Sequence, residues 1–400
     1  MPELLIHLIK IIVIVFIFVM GVASSMTLLG DRKQSAKIQN RVGPMQAQFF
    51  GRSFLGFPHF IADGIKMILK ENIVPRNANA FLHTIAPALV FMPALIGWAV
   101  IPFMDHYCTG TVETLIPGAA GVPDSVVHYT EVCTGGEWKN YFSIMHMNSG
   151  VLFAFAIAAI SVYGAAIAGW ASNSKFSLLG GLRSSAQMIS YEVSMGLSLA
   201  GVLMLYGTLN INEMIRMQGH LLGDWLPMWG IVIQPLAFFL FLLAGLAETK
   251  RAPFDLPEGE SEIVAGYITE YSSMKFAMMQ LAEYAATVFI AALVAVVFLG
   301  GWQFPFVYAD GIRFLGAHWQ PLVGTTVPLL DMDAWYLISI LLRIGSLVFK
   351  ILFLVWLQFM MRWTLPRFRY DQVMTLGWKI LLPLSIANLF ITALVVTIFS

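Results

Sequence analysis

Charged residues are scarce in this 400-residue chain. Asp, Glu, Lys and Arg make up 12% of it, about half of the roughly 25% that is usual in soluble domains. Hydrophobic residues make up 58%, and the mean hydropathy is +0.76. This composition excludes an ordinary soluble domain and indicates a bundle of membrane-spanning helices. The formal net charge is zero, so no basic excess favours nucleic acid as a partner.

Cysteines and nucleotide-binding motifs are also scarce. The chain has two cysteines, Cys108 and Cys133, and no C-x-x-C pair. Ligation of an iron–sulfur cluster or a c-type haem by this chain alone is therefore not expected. The chain contains no G-x-G-x-x-G and no P-loop sequence, which argues against a nucleotide site. Any electron source must come from a partner or from a diffusible molecule.

Eight apolar segments are long enough to cross about 30 Å of hydrocarbon as helices. The predicted spans cover 4–29, 82–103, 149–170, 186–206, 229–246, 276–299, 335–361 and 376–398. The first segment lacks a basic leader and is followed by Asp31, Arg32 and Lys33, so we interpret it as a retained helix and not as a signal peptide. The predicted fold class is all-α: one polytopic membrane domain over residues 1–400.

Lysine and arginine are unevenly distributed between the loops. The loops after spans one, three, five and seven contain 16 of the 23 Lys and Arg residues. By the positive-inside rule these loops face the cytoplasm and both termini lie outside. The predicted loops are a cytoplasmic loop at 30–80, an external loop at 104–148, an acidic cytoplasmic loop at 247–274 and a basic cytoplasmic loop at 362–375.

Both cysteines fall in the predicted external loop. A disulfide between Cys108 and Cys133 is chemically allowed in an oxidising compartment. Two unrelated thiols are the alternative, and we favour the disulfide.

Several charged residues lie inside the predicted spans, and four of them bear on function. Glu192 and Glu283, in spans four and six, are on the order of 12–14 Å from the cytoplasmic side at helical rise. Arg343 and Lys350 are seven residues apart in span seven, on nearly one face. Each such charge costs on the order of 3 kcal/mol at mid-membrane unless it is paired or hydrated. One interpretation is structural ion pairing; we favour a buried polar track that handles protons, with the basic stripe opposed to the acids.

The segment AETKRAPFDLPEGESEIVAGYITEY, residues 247–271, concentrates acidic residues. Its six carboxylates belong to Glu248, Asp255, Glu258, Glu260, Glu262 and Glu270. Asp255, Pro257 and Glu258 have the pattern of a helix start, with an N-cap, a first-turn proline and a capping-box acid. The first-turn acids suit that start, but it leaves Glu248, Glu262 and Glu270 unexplained.

The first predicted cytoplasmic loop contains an amphipathic segment, GFPHFIADGIKMILKE. Its apolar face holds Ile61, Ile65 and Ile68, and its charged face holds Asp63, Lys66 and Lys70. This pattern predicts a short helix lying at the membrane surface. Positive-inside anchoring is the simpler interpretation for Lys37 and Arg52 in the same loop.

Five segments together resemble a known family. They are DRKQSAKIQNRVGP, IADGIKMILKENIVP, GWASNSKFSLLGGLRSSAQMISYE, the acidic segment 247–271 and LPRFRYDQVMTLGWKILLPLSIANL. In sequence and order they are similar to the quinone-chamber membrane subunits, the H subunits, of respiratory complex I (NADH:quinone oxidoreductase). The resemblance covers nearly the whole chain, and the acidic segment is its most specific part.

The resemblance implies that the cytoplasmic loops form much of a narrow quinone chamber leading to the peripheral arm. The chamber residues would be Arg32, Arg41, Asp63, Lys66, Glu248, Arg251, Phe254, Asp255, Glu258, Glu260, Glu262, Arg367 and Arg369. The proton path would include Glu192, Glu270, Glu283 and Lys350. Quinone, such as ubiquinone, would be the substrate, and this chain alone would bind no flavin, iron–sulfur cluster, haem or metal.

The same resemblance implies a subunit of a translocase of the respiratory chain, in a bacterial inner membrane, that is inactive alone. Its partners would be the peripheral-arm iron–sulfur and quinone-site subunits, the small membrane subunits and the antiporter-like subunits, with lipid around them. Two alternatives remain: the homologous subunit of a membrane-bound energy-converting hydrogenase, and a stand-alone proton-coupled transporter, which would favour an internal repeat that we do not find.

Several features depart from the family's pattern. Asp31 stands where the family usually has Glu; because its side chain is one methylene shorter, we leave it out of the chamber set. Pro58 and His59 replace the usual Gln-Pro before the amphipathic segment, and we interpret His59 as an exposed interfacial residue. Arg343 matches no family position, and the external loop is longer than the family leads us to expect.

Overall fold

Long helices cross the molecule, and short strands are confined to loops at one end. The computed structural model describes the backbone of residues 2–48, 51, 56, 58–105, 107–108, 111–115, 126–127, 130–134, 138–139, 142–222, 226–308, 311–314, 317–319, 326–327 and 332–399. Within these ranges the molecule is a helical bundle, which confirms the predicted fold class.

The first helix, α1, is a continuous run of helical segments over residues 2–38. The other helices are α2 (Pro58–Leu69), α3 (Ala80–Ile96), α4 (Gly150–Ala171), α5 (Lys175–Tyr206), α6 (Ile211–Gln218), α7 (Pro235–Glu248), α8 (Ser273–Phe298), α9 (Ala334–Thr364) and α10 (residues 370–399). Short helices also occur at Gly97–Val100, Gly230–Ile233, Glu260–Ile263 and Gly266–Ile268.

The strands form small antiparallel ladders. The longest ladder pairs Thr111–Leu115 with Thr130–Thr134. The shorter strands are Tyr107–Cys108, Val126–Val127, Trp138–Lys139, Leu221–Leu222, Leu226–Pro227, Val307–Tyr308, Gly311–Phe314, Ala317–Trp319, Thr326–Val327 and Met332–Asp333. All of them lie in loops after the second, fourth and sixth predicted spans. We call this the opposite end of the bundle, and the other end, which carries most of the Lys and Arg, the basic end.

Among the described residues, six helices are long and apolar enough to cross a membrane, and two shorter apolar helices accompany them. The six long ones coincide with predicted spans two, three, four, six, seven and eight. The two shorter ones, His7–Ala23 within α1 and Pro235–Glu248, fall on spans one and five. The fifth is short because Pro235 follows a break at Gln234, whose backbone leaves the helical region, and a proline cannot donate the helix hydrogen bond at that point.

Helix α8 occupies the middle of the bundle. It packs against α1, α3, α7 and α9, whereas α10 packs mainly against α5 on one side. Alanines at 291, 292 and 295 are fully buried in α8. Such small residues let neighbouring helices approach closely, which drives packing where lipid replaces water.

The amphipathic helix predicted in the first loop is α2, and its existence is confirmed. Its isoleucines are exposed, and its contact with a membrane stays a prediction. The end of α2 is attached to the start of α8, because the Ser273 hydroxyl donates to the Met67 carbonyl at 3.0 Å. The Ile73 N–H in turn donates to the Ser272 hydroxyl at 2.9 Å.

Helix α5 and the acidic segment 247–271 are in direct backbone contact at two glycines. A Cβ atom on Gly180 would lie 2.6 Å from the Cα of Gly266, which is too close for a real contact. Gly266 itself has φ +56°, a conformation that favours glycine. These two glycines allow the loop between α7 and α8 to lie directly on α5.

Candidate functional site

The loop between α7 and α8, residues 249–272, turns into the bundle and does not lie on its surface. We call it the acidic loop. Lys250 and Arg251 are buried there, as are Phe254 and Leu256. Phe254 packs between Tyr191 and Phe368, with ring centroids 5.8 and 5.5 Å apart respectively. Burial of two cations in one loop requires nearby acids or water, since an unpaired buried charge is costly.

The predicted helix start at Asp255 is wrong. The helix begins at Glu260 with Gly259 as its N-cap, and residues 256–258 form a turn. The Asp255 carboxylate still accepts a backbone hydrogen bond from Glu258, as Asp commonly does in turns. Leu256 is fully buried, so the inward path of the loop overrides the local helix-start pattern.

Glu248, Lys250 and Glu283 line one interior cavity of about 50 Å³. It lies between α3, α4, α5, α7 and α8, with an otherwise mainly apolar wall. A water molecule needs roughly 10–15 Å³ of such space and two or more polar partners. The cavity is therefore large enough for a few water molecules beside two carboxylates and an ammonium group.

Tyr267 connects the acidic loop to this cavity. Its hydroxyl donates to Glu283 Oε1 at 2.8 Å, and both groups are buried. Lys250 Nζ lies 5.1 Å from the centroid of the Tyr267 ring. The Ser177 hydroxyl of α5 donates to the Tyr267 carbonyl at 3.3 Å and so holds the tyrosine from its other side.

The carboxylates of the site interact with one another. Glu192 on α5 lies close enough to Glu248 for their charges to interact. Asp255 and Glu258 interact in the same way with Glu283. The acids therefore form a continuous electrostatic series from the acidic loop, through the cavity, to α5.

Burial changes the proton affinity of the acidic loop. It raises the pKa of Asp255 to about 6, and Glu283 acts in the same direction while Arg367 opposes it. Burial, followed by Glu283, raises the pKa of Glu258 well above its usual range. Burial also lowers the pKa of Lys250. Groups coupled in this way titrate as a set, so a new charge nearby shifts protons among them.

Asp31 lies at the centre of a second, partly buried group of charges, although sequence analysis leaves it out of the chamber. Its Oδ1 is 2.5 Å from Arg362 Nη1, and its Oδ2 is 3.8 Å from Arg251 Nη1. The Tyr284 hydroxyl donates to the same carboxylate. The shorter Asp side chain reaches its partners because α1 itself, in a π-helical stretch over Thr27–Gln34, lies against α9.

Arg251 stacks on Tyr284, with its guanidinium carbon 3.6 Å from the ring centroid. Within the described part of the chain, its three side-chain nitrogen atoms have no hydrogen-bond partner. A buried guanidinium in this state can stabilise negative charge that arrives nearby.

Several predicted chamber residues lie at the periphery of the basic end. Arg32 pairs with Asp63 at 2.5 Å, and Arg183 pairs with Glu262 at 2.6 Å. The Glu262 side chain is 40% exposed, so it lies outside the cavity. Arg41 and Lys66 are exposed.

The basic loop after α9 reaches the acidic loop at one point. Arg367 donates to the Asp255 carbonyl, whereas Arg369 is largely exposed and lies 3.3 Å from Asp371. Glu270 is half-buried and contacts His83 on α3 through its backbone. The side chains of Glu260, Cys108 and Cys133 lie outside the described residues, so the disulfide stays a prediction.

Lys350 and Arg343 do not oppose the buried acids as predicted. Lys350 Nζ donates to the carbonyls of Gly301 and Gln303 at 2.9 and 2.7 Å. The Arg343 guanidinium lies 5.3 Å from the Trp302 ring centroid. Both contacts are at the opposite end, while Glu283 is about 22 Å of helix away from the end of α8. Because α9 is long, Lys350 and Arg343 lie near the opposite end, far from the buried acids. There they contact loop carbonyls and an indole ring.

Comparison with known proteins identifies the family. The sequence model described as NADH dehydrogenase matches residues 9–393. The chain belongs to the NADH dehydrogenase family.

Relatives within the NADH dehydrogenase family align over nearly the whole chain. The NADH-quinone oxidoreductase H subunit 2 of Koribacter versatilis is 42% identical, over 99% of this chain and 98% of the relative. The H subunit 1 of Geobacter sulfurreducens is 40% identical, over 97% and 94%. NADH-quinone oxidoreductase subunit 8 of Rhodothermus marinus is 38% identical, over 95% of each chain. The predicted family is therefore confirmed.

For this member of the NADH dehydrogenase family, sequence reasoning missed residues that act across long separations. Tyr267, Tyr284 and Arg362 are not in the predicted set, yet each contacts a buried or partly buried carboxylate. The Tyr267 signal lies in the acidic segment itself, where a tyrosine follows a glycine among acids. Arg362 and Tyr284 carry no local signal, because their partner Asp31 is more than 250 residues away in each case.

Proposed function

We propose that this chain is the quinone-chamber membrane subunit of a proton-translocating NADH:quinone oxidoreductase. In this proposal the basic end faces the bacterial cytoplasm, both termini lie outside, and partner subunits deliver electrons from iron–sulfur clusters. The names of the relatives, NADH-quinone oxidoreductase subunits, support this assignment. The chain alone is inactive, because electrons must come from its partners.

The observation that carries the proposal is the cavity of about 50 Å³ shared by Glu248, Lys250 and Glu283. Tyr267 hydrogen-bonds Glu283 at 2.8 Å, so the cavity is linked directly to the acidic loop. A buried set of acids beside a site of charge transfer is the arrangement expected of a proton-handling path.

Reduction of a quinone to a quinol takes up two electrons and two protons. Negative charge arriving at the acidic loop raises the proton affinity of Asp255 and Glu258 and is stabilised by Arg251. Protons that pass to the quinone remove that charge again. Because Asp255 and Glu258 interact with Glu283, each change reaches the cavity, where Glu283 and Glu248 exchange protons through water. Glu192 responds through its charge interaction with Glu248.

The quinone binds through apolar walls with few polar anchors. We assign the chamber to Arg32, Arg41, Asp63, Lys66, Glu248, Arg251, Phe254, Asp255, Glu258, Glu260, Glu262, Arg367 and Arg369, and we add Asp31. We assign the proton path to Glu192, Glu270 and Glu283. Lys350 would act in this path at the opposite end of the bundle, where it donates to loop carbonyls.

Neutralising the buried acids tests this proposal. In the assembled enzyme, reconstituted into sealed vesicles, Glu283→Gln and Glu192→Gln should each lower NADH:quinone turnover or the protons moved per turnover. A tenfold loss corresponds to about 1.4 kcal/mol of transition-state stabilisation, and we expect at least this for Glu283→Gln. Glu71→Gln is the matched control, since Glu71 is exposed at the basic end. Wild-type rates and stoichiometry in both variants would rule the proton path out.

Purification in mild detergent tests the assignment to this enzyme. Co-purified subunits that carry flavin and iron are expected. Nickel–iron in place of flavin would assign the chain to a membrane-bound hydrogenase. A chain that purifies alone and transports protons would be a stand-alone transporter.

A further inference from the structure

A cleft of about 620 Å³ lies between α1 and α9 at the basic end. From α9 it is lined by Leu352, Val355, Trp356 and Phe359, whose spacing of three or four residues places them on one helix face. This volume falls within the range of sites that hold small organic ligands, roughly 300–1,000 Å³. The cleft is therefore a binding-sized space with an apolar wall.

The α1 side of the cleft is graded from apolar to basic. Along α1 the cleft is lined by Val22 and Ser25, and then, nearer the basic end of the helix, by Lys33 and the exposed Lys37. Val22 and Lys33 are separated by about 16 Å at helical rise. The described lining contains two lysines and no acidic residue. The cleft thus pairs a basic rim with a long apolar interior.

Phe359 closes the inner side of the cleft. A Cβ atom on Gly30 would lie 2.7 Å from its ring, so the ring rests directly on α1. On its other side, Phe359 lines a small cavity together with Arg251 and Arg362. The aromatic ring therefore separates the cleft from the buried Asp31 group.

We propose that this cleft binds one anionic phospholipid from the leaflet at the basic end. The phosphate lies between Lys33 and Lys37, and one acyl chain lies along the α9 face. Basic pockets between membrane helices on the cytoplasmic side commonly bind anionic lipid head groups. A quinone head group carries no charge and gives no reason for two lysines at the rim, and an apolar helix from a partner would leave both ammonium groups without a counter-charge.

The amount of phospholipid that co-purifies with the enzyme tests whether Lys33 and Lys37 hold a lipid. The assembled enzyme is purified as wild type, as the double variant Lys33→Gln/Lys37→Gln, and as the control pair Lys70→Gln/Lys175→Gln at the same end. Tightly bound phospholipids are counted by mass spectrometry. We expect the first pair to lose about one anionic phospholipid per complex, and the control pair and Lys33→Arg/Lys37→Arg to retain it. Equal anionic lipid in all four preparations would overturn the proposal.

A photoreactive side chain in the cleft identifies its occupant without altering the lysines. A benzophenone amino acid replaces Trp356, and the assembled enzyme is reconstituted into vesicles of phosphatidylglycerol and phosphatidylethanolamine. Illumination should give an adduct mainly with phosphatidylglycerol. An adduct mainly with quinone, with another subunit, or equally with both lipids would overturn the proposal. This experiment also decides the case if the lysine variants fail to assemble.

Discussion

Helix α8 and helix α10 are equally apolar but have very different surroundings. The most apolar window of each has a mean hydropathy of 2.2, yet 89% of that window is buried in α8 and 22% in α10. Hydropathy therefore identifies a helix that can cross a membrane, but it does not say where in the bundle the helix lies.

Small residues account for the difference. The sequence of α8 contains seven alanines, and they are found around the whole helix, whereas the apolar segment Leu382–Phe399 of α10 contains two. Polar side chains follow the same division. Glu283 and Tyr284 of α8 contact other elements in the interior, while Thr392 of α10 meets only the bundle side, where it accepts from Gln234 at 2.8 Å.

Truncation of one phenylalanine in each helix should give the largest contrast. Phe298 of α8 is 0% exposed and Phe390 of α10 is 70% exposed. Phe298→Ala leaves a cavity and should cost about 3 kcal/mol or more, whereas Phe390→Ala should cost close to zero. The yield of assembled enzyme and its thermal inactivation temperature in mild detergent measure both effects. Equal losses would mean that α10 is as closely packed in the assembly as α8.

Removal of the Tyr267 hydroxyl tests whether the buried surroundings of α8 control the behaviour of Glu283. Tyr267→Phe deletes the hydrogen bond to Glu283, worth about 1.5–3 kcal/mol if the carboxyl is charged. We expect a roughly tenfold lower rate of coupled proton movement and a shifted pH profile of quinone reduction. Tyr206→Phe is the control, since its hydroxyl donates to the Met228 carbonyl at 3.1 Å, far from the acids. If Tyr206→Phe loses as much activity as Tyr267→Phe, the hydrogen bond from Tyr267 to Glu283 has no specific role in proton movement.

The smallest expected effect at neutral pH concerns the pH dependence of the acidic loop. Asp255 has a pKa near 6, above its ordinary value of 3.8, so the folded protein binds this proton more tightly than the unfolded chain does. Its contribution to stability is complete below about 3.8 and is lost as the pH rises through about 6. Asp255→Asn should remove this pH dependence.

At about pH 6 half of the Asp255 carboxyls are neutral. At this pH the neutral fraction at position 255 should therefore differ about twofold between wild type and Asp255→Asn, whose amide is always neutral. Thermal inactivation of the assembled enzyme, measured at several pH values, checks the slope. An unchanged slope in Asp255→Asn would assign the pH dependence to another group.

The features that sequence predicts well depend on neighbouring residues. The apolar spans, the amphipathic helix α2 and the inward position of Glu192 and Glu283 all follow from composition over a few helical turns. The features that it predicts poorly depend on how distant parts of the chain pack together. The turn at Asp255 follows from the burial of Leu256, and the role of Asp31 follows from the approach of α1 to α9.

Lys350 illustrates the same limit from the other direction. Its place in an apolar helix correctly indicates a buried cation, but helix length decides which end it serves. It binds the carbonyls of Gly301 and Gln303, and no pattern within α9 indicates these partners.

The contact between Gly180 and Gly266 has a consequence for how this protein can change over generations. A Cβ atom on Gly180 would displace the backbone at Gly266, whereas one on Gly266 would meet the Pro257 carbonyl, so either substitution would move the acidic loop. Tyr267 is the next residue, so that movement would pull its hydroxyl away from Glu283. A lone alanine at either site should therefore be selected against among descendants.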